Sequence, residues 1–458
     1  MFNKSLLFIV ALSGSTLFAQ ADILDQYIRE GLRNNLALQQ QQLSLQKSLQ
    51  ALKEARGLFL PSLNLEARYS RAGGGRLIEF PVGDIVNPIY ATLNGLLAAQ
   101  GQPVPFPTNL QNINIPFLRK EEQETRVRLV QPIFQPQILY NYKIKRSAYR
   151  SSRAQQQAFS RQLVYEIKQA YFKYLSAKQL SDLLDKTKQL LAENLRVSTS
   201  LFTNQKATQD VVFRAKAELS DLEQQAAGAW KNEQIAARYF NFLLNRPLDA
   251  RIDVGEESEI VSDHKLDIAR LASKAFSRRE EFQQLQNAIE AAGHAAKLAS
   301  TAKLPSMNFV LDYGIQGENY RFGKDDDFWM ATVALQWNLF NGFQDRARQQ
   351  QAELDRQRLQ VQLQELERQV QLQILEAYEN VQVARKIIDS ANDRLRSVRL
   401  SFRIIAKKYA QGLSPQVAYL DARTNLTGAE ISAILAKYDY QIKYSQLERV
   451  AALYDLNE

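Results

Sequence analysis

The chain says nearly the same thing twice. Leu60-Pro61-Ser62-Leu63-Asn64 returns as Leu304-Pro305-Ser306-Met307-Asn308, and the two runs close on Tyr69 and Tyr313. Upstream, Leu38-Gln39-Gln40 falls in the same register on Phe282-Gln283-Gln284. Downstream, Ala170-Tyr171 matches Ala377-Tyr378, and Gln209, Ala215 and Leu219 match Gln416, Ala422 and Leu426. The first matches lie 244 positions apart and the later ones 207. One duplicated unit accounts for both if the first copy carries roughly 37 extra residues between its two strand-like runs. A repeat of this length is not a short solenoid unit. It makes a pseudo-symmetric pair, and whatever the halves build has an axis.

Each half is mostly helix. From Leu359 to Tyr409 apolar or small residues recur at alternating steps of four and three, with Gln373 the one polar seam position and Ile374 beside it. A period of 3.5 implies a left-handed coiled coil. No proline interrupts between Pro305 and Pro415, so a helix from about 343 to 411 would run on the order of 100 Å at 1.5 Å per residue. Its counterpart, about 137 to 202, has a rougher seam at Val164, Ile167, Tyr171 and Tyr174. Both long helices end in short turns, Asn204-Gln205-Lys206-Ala207 and Gln411-Gly412-Leu413-Ser414-Pro415, before return helices. Gly412 suits a left-handed cap and Pro415 the start of the next helix.

Four short runs alternate cleanly. Met307, Phe309, Leu311, Tyr313 and Ile315 oppose Asn308, Asp312 and Gln316; Trp329, Ala331, Val333, Leu335, Trp337 and Leu339 oppose Thr332, Ala334, Gln336 and Asn338. Leu63, Leu65, Ala67 and Tyr69, then Val127 and Leu129, do the same in the first copy. Runs of ~10 residues with one apolar and one wet face fit tilted strands crossing a bilayer, and fit a soluble sandwich equally. Trp329 and Trp337, eight residues apart, stand ~26 Å apart along a strand, near the spacing of two aromatic girdles. With Tyr69 and Tyr313 they are the expected girdle residues.

Two features favour the membrane. Lys4, the apolar run from Leu6 to Leu12 and the small residues Ala19 and Ala21 compose a secretory leader over 1–21. Beyond it no run of ~20 apolar residues offers a transmembrane helix. Four strands cannot close a barrel, and lipid forbids open edges, so several chains must share one. The absence of cysteine excludes disulfides and thiolate metal sites. Basic and acidic residues, 58 against 49, are both abundant and do not cluster, which argues against nucleic-acid binding. His264 and His294 are thirty residues apart, without metal-ligand spacing. Asp325-Asp326-Asp327 reads as a solvated hairpin loop. No phosphate-cradling loop, nucleophile elbow or metalloprotease helix occurs, so neither a cofactor nor catalysis is expected.

In order and duplication the chain resembles the TolC-type outer-membrane efflux proteins over essentially its whole mature length. The resemblance is carried by the Leu-Pro-Ser-x-Asn strand starts and by the second tip, Tyr409 to Ala422. That tip is similar to the family's aromatic-x-x-Gly-x-Ser/Thr turn followed by Leu-x-Ala. The resemblance implies a mainly α fold with a small β portion and an internal duplication. Long coiled-coil hairpins form a periplasmic α-barrel, and four strands per chain contribute to a trimeric 12-stranded transmembrane β-barrel. It implies a passive exit duct for a tripartite efflux pump or a type I secretion system, lodged in outer-membrane lipid and reaching into the periplasm. The partners would be a homotrimer, a periplasmic membrane-fusion (adaptor) protein and, indirectly, an inner-membrane transporter that supplies the energy. Adaptor docking would fall on Gln205, Lys206, Ala207 and Thr208 and on Gly412, Leu413, Ser414 and Pro415. The periplasmic gate would use Asp421 and Asp210, although Ala418 stands where relatives often carry an acid and Asp210 aligns with Val417 of the second tip. The rival reading is a periplasmic coiled-coil adaptor without a barrel.

The expected organisation is then a leader over 1–21 and a first repeat over 22–245. That repeat holds strands at about 61–71 and 123–134, a long outer loop over 70–124 that folds over the barrel mouth, and a hairpin over 136–245. An equatorial linker over 246–265 leads to a second repeat over 266–458, with strands at about 305–317 and 327–340 and a hairpin over 342–456.

Overall fold

The computed structural model describes residues 19–255, 267–319, 323 and 325–456. The leader up to residue 18 and the second half of the expected linker, with His264, lie outside the described residues. In chain order the elements are α1 (Ala19–Asn34), α2 (Leu36–Gly57), β1 (Ser62–Arg71), β2 (Leu77–Phe80), α3 (Val82–Ala99), β3 (Ile113–Pro116) and β4 (Glu121–Phe134). Then come α4 (Pro136–Thr203), α5 (Gln209–Leu243), α6 (Ile268–Arg278), α7 (Glu280–Ser300), β5 (Ser306–Gly317), β6 (Asp327–Gln336), α8 (Gln344–Ala410) and α9 (Gln416–Val450). The fold is mainly helical with a small antiparallel sheet, as the sequence implies.

The chain divides into two units. One comprises residues 1–52, 144–293 and 352–458, the other 53–143 and 294–351. In the helical unit the duplication is visible in the core. Leu163, Ile167 and Ala170 of α4 are buried, and so, 207 positions on, are Val370, Ile374 and Ala377 of α8. The first set packs with Tyr27, Ile28, Phe240 and Leu244, the second with Leu271, Phe282, Tyr440 and Leu447. The α8 seam steps through Val370, Ile374, Ala377, Val381, Ala384 and Ile388. The polar Gln373 is thus passed over in favour of its neighbour, and its Oε1 accepts a bond from Arg279 Nη1 at 2.9 Å.

Charged pairs lie between these clusters. The guanidinium of Arg161 forks onto Glu280, with contacts of 2.7–3.2 Å, and donates through Nη1 to the Tyr454 carbonyl at 2.6 Å. Both side chains are at most a tenth exposed. Lys168 meets Glu448 at 2.9 Å, and Arg246 pairs with Glu30. Asn35 breaks α1 from α2 by capping α2: its Oδ1 accepts from the Leu38 amide at 3.0 Å, and its Nδ2 donates to the Leu243 carbonyl.

In the second unit one sheet has the order β1-β4-β5-β6, antiparallel throughout. Three departures from the sequence reading stand out. β6 stops at Gln336 rather than near 340, because its partner β5 begins at Ser306, directly opposite Gln336, and offers no ladder beyond it. Trp337 therefore stands one residue past the strand, and its Nε1 donates to the Lys303 carbonyl at 3.1 Å. The stretch read as a loop over 70–124 is largely ordered structure. It contains α3 and the hairpin-like pair β2–β3.

Candidate functional site: the two sheet faces and the two hairpin tips

The register assigns every strand residue to a face. Leu63, Leu129, Leu311 and Ala331 lie side by side across the sheet, and so do Leu65, Val127, Tyr313 and Trp329. Four residues further along β1, Tyr69 lies on the same face opposite Gln123. Except at Gln123, which is polar and buried, this face is mainly apolar and open in the protomer: Leu65 and Trp329 are each 73% exposed. Burying such a surface in water would need a second sheet or a helix layer, and no sheet other than the small β2–β3 pair exists among the described residues.

The opposite face is charged. Asn64, Arg128, Asp312 and Met330 form one row, and Glu66, Arg126, Gly314 and Phe328 the next. Arg128 holds Asp312 bidentately at 2.7 and 2.9 Å, and Asp312 is fully buried beneath it. Arg126 donates to Glu66 at 2.7 and 2.9 Å and to Glu124 at 2.7 Å, while Arg68 reaches Glu124 at 3.0 Å. Such forks fix side chains across strands. Asn308 is on this face too and accepts from Gln135 at 2.6 Å. The edges, β1 and β6, have no neighbouring strand among the described residues.

At the far ends of the hairpins the two repeats build the same turn from different residues. Gln205 and Gly412, 207 apart, both take positive φ, 56° and 74°. The Gln205 amide donates to the Phe202 carbonyl at 2.9 Å and that of Gly412 to Tyr409 at 3.0 Å. The next amides, Lys206 and Leu413, reach back to Leu201 and Lys408, each at 2.8 Å. This is the paired closure of a left-handed helix cap. Glycine adopts it without strain, and Gln205 adopts it against the preference of a residue bearing Cβ. Thr208 and Pro415 are then the extended residues opening α5 and α9. Leu413 is 73% exposed, and Phe213 on α5 is also open.

The expected gate carboxylates are both exposed. Asp210 accepts from Thr208 Oγ1 and lies 3.9 Å from Arg214 Nε. Asp421 makes no ion pair among the described residues, and Arg423, two residues on, is turned elsewhere. Its Nη2 donates to Thr187 Oγ1 of α4 at 2.8 Å, and its guanidinium lies over the Phe402 ring. Gln416 donates to Ser198 Oγ of α4 at 2.9 Å. Tyr419 stacks on Tyr409, centroids 4.7 Å apart, and burial pushes its phenol above the ordinary range against the pull of Arg423. Sequence reading missed this polar link between the hairpins. Its signal was there: Gln416, Leu420, Arg423 and Thr427 follow seam spacing on α9 with three polar members.

Comparison with known proteins agrees with this architecture. Residues 271–452 match the profile of the outer membrane efflux protein family. The outer membrane protein TolC of Salmonella enteritidis is 21% identical over 468 residues, covering 98% of this chain and 85% of that protein. The Campylobacter jejuni CmeC outer membrane channel superposes with a TM-score of 0.76 at 16% identity, over 94% of this chain and 85% of CmeC. The Neisseria gonorrhoeae MtrE outer membrane channel, solved in an open state, gives 0.75 at 16%, over 96% and 93%. With its duplicated hairpins and two-faced sheet the chain shares the fold of these outer-membrane channels over nearly its whole length, and its second repeat carries the outer membrane efflux protein profile.

Proposed function

We propose that three copies of this chain close their sheets into one 12-stranded barrel, and that the assembly is the passive exit duct of a tripartite efflux pump or type I secretion system. The observation that carries this reading is the four-stranded sheet itself. It has a bare apolar face, a charged opposite face and two unpaired edges, and lipid tolerates an apolar face but not an open edge. Three protomers related by a threefold axis would pair β6 of each with β1 of the next. The charged rows would then line the lumen, and the leucine and tryptophan rows would meet lipid. An adaptor working without a barrel would leave the apolar face uncovered.

The matched caps at Gln205 and Gly412 suggest where the periplasmic adaptor docks, on the residues 205–208 and 412–415. Leu413→Glu combined with Ser414→Arg, together with Lys206→Glu in the first tip, should abolish export while trimers still assemble. Export assayed in cells, with trimer content measured in the same membranes, tests this. Export that survives changes at both tips would place docking elsewhere. We also propose Asp421 and Asp210 as the carboxylates of the periplasmic gate.

A further inference from the structure

We infer that the insert between β1 and β4 caps the outer mouth of the barrel by packing α3 against the α3 helices of the neighbouring copies, an inference that rests on the trimeric barrel proposed above. From Phe80 to Leu118 the only charged residue is Asp84, in a chain that is 23% charged. Surface loops are normally polar and irregular. This one is ordered, and three of its asparagines are bonded internally.

Asn87 exchanges two bonds with the backbone of Leu110, each 2.9 Å. Asn94 does the same with Phe106, at 2.7 and 3.2 Å. Asn112 accepts from the Asp84 amide and donates to its carboxylate. Gly83 lies so close to this stretch that a Cβ there would stand 2.2 Å from the Leu110 oxygen. The rings of Tyr90 and Phe106 meet at 5.0 Å. One side of α3, marked by Asn87 and Asn94 seven residues apart, is therefore fixed to residues 106–112.

The other side has no partner among the described residues. Ile85, Ile89, Leu93 and Leu96 follow one another at steps of four, four and three, the spacing of a single helix stripe. They are 59, 54, 39 and 60% exposed. No described residue covers them, and geometry favours a second copy. The insert hangs from the strand ends by residues 72–76 and 117–120. Five residues reach at most ~17 Å. Twelve strands ~4.8 Å apart and tilted ~40° close a ring ~24 Å across. An 18-residue helix is ~27 Å long. Three helices as long as the mouth is wide thus hang on tethers longer than its radius, with no repelling charges between them. A helix built to lie on lipid would carry Lys or Arg on its polar side, and α3 carries none.

The chain has no cysteine, so single introduced thiols report without ambiguity. Ile89→Cys and Leu93→Cys in the full-length protein, in membranes, should each give covalently linked dimers with a short bifunctional thiol reagent. Ala91→Cys, exposed on the opposite side of α3, should not. Native mass of the same preparations separates the two levels of the inference. Trimers by mass without linkage at 89 or 93 would overturn the cap and leave the barrel. Absence of trimers would overturn the reading beneath it. Linkage equally strong at 91 would overturn the specific seam, as would labelling of 89 and 93 by a membrane-embedded probe in place of linkage. Replacing Ile85, Ile89, Leu93 and Leu96 together by serine should raise single-channel conductance several-fold, and unchanged conductance in a folded trimer would contradict closure at this end.

Discussion

At the scale of single residues, the positions with most at stake are polar groups held inside helical seams. Arg161 ties α4 to α7 and to the C-terminal Tyr454 carbonyl through one guanidinium. Removing one partner of a buried pair leaves the other charge desolvated and alone, at a cost of about 3–5 kcal/mol. Arg161→Ala should therefore lower the unfolding free energy by that order in denaturant titration, whereas Arg150→Ala, at an open pair 3.6 Å from Glu290, should change it by less than about 1 kcal/mol. Asp421 is the opposite case, a carboxylate with open space around it. Three copies drawn together at a narrow tip would favour cations and hold divalent ions. Asp421→Ala should weaken cation selectivity and divalent block in planar bilayers, and the double change with Asp210 should weaken both further. Unchanged block in the double variant would leave these as surface charges. Little of the residue scale was legible beforehand. Periodicity flags apolar seam positions, so the seam contacts of Gln416 and Arg423, polar members of α9, were not read although Gln416 stood out as a repeat match. Which partner a buried arginine meets on another helix depends on packing that no local pattern encodes.

At the scale of elements the sequence was far more informative, because helices and strands advertise their periods. The alternation that separates Leu311 and Tyr313 from Asp312 is the same division that the sheet register displays. The boundaries were less legible. β6 ends early because its partner β5 begins at Ser306, opposite Gln336, so the eight-residue spacing of Trp329 and Trp337 is not a distance along one strand. The insert was misjudged as loop because α3 contains Pro88 and small residues, and its order comes from asparagine bonds to a distant stretch. The two faces can be separated experimentally. Val333 lies on the apolar face and Thr332 on the charged one, both near the middle of β6. Val333→Arg should cost about 2–4 kcal/mol in lipid-refolding equilibria, and Thr332→Arg should be tolerated. Equal costs would indicate a sheet buried on both sides.

At the scale of the whole molecule, the duplication sets the design. The residues opening α5 and α9, the positive-φ caps at Gln205 and Gly412, and those at Asn245 and Ala452 all recur at the same 207-residue offset. Two equivalent hairpins per chain leave seams toward the tips only half-buried: Ala391, Leu395, Val398 and Phe402 of α8 are partly covered, whereas Val370 to Ile388 are closed. Both the unfinished seams and the open sheet edges ask for further copies. The central claim is that three chains complete one barrel. Native mass measurement of the detergent-extracted outer-membrane protein tests it most directly: the account predicts a stable species of three chains, and a stable monomer or dimer would contradict it.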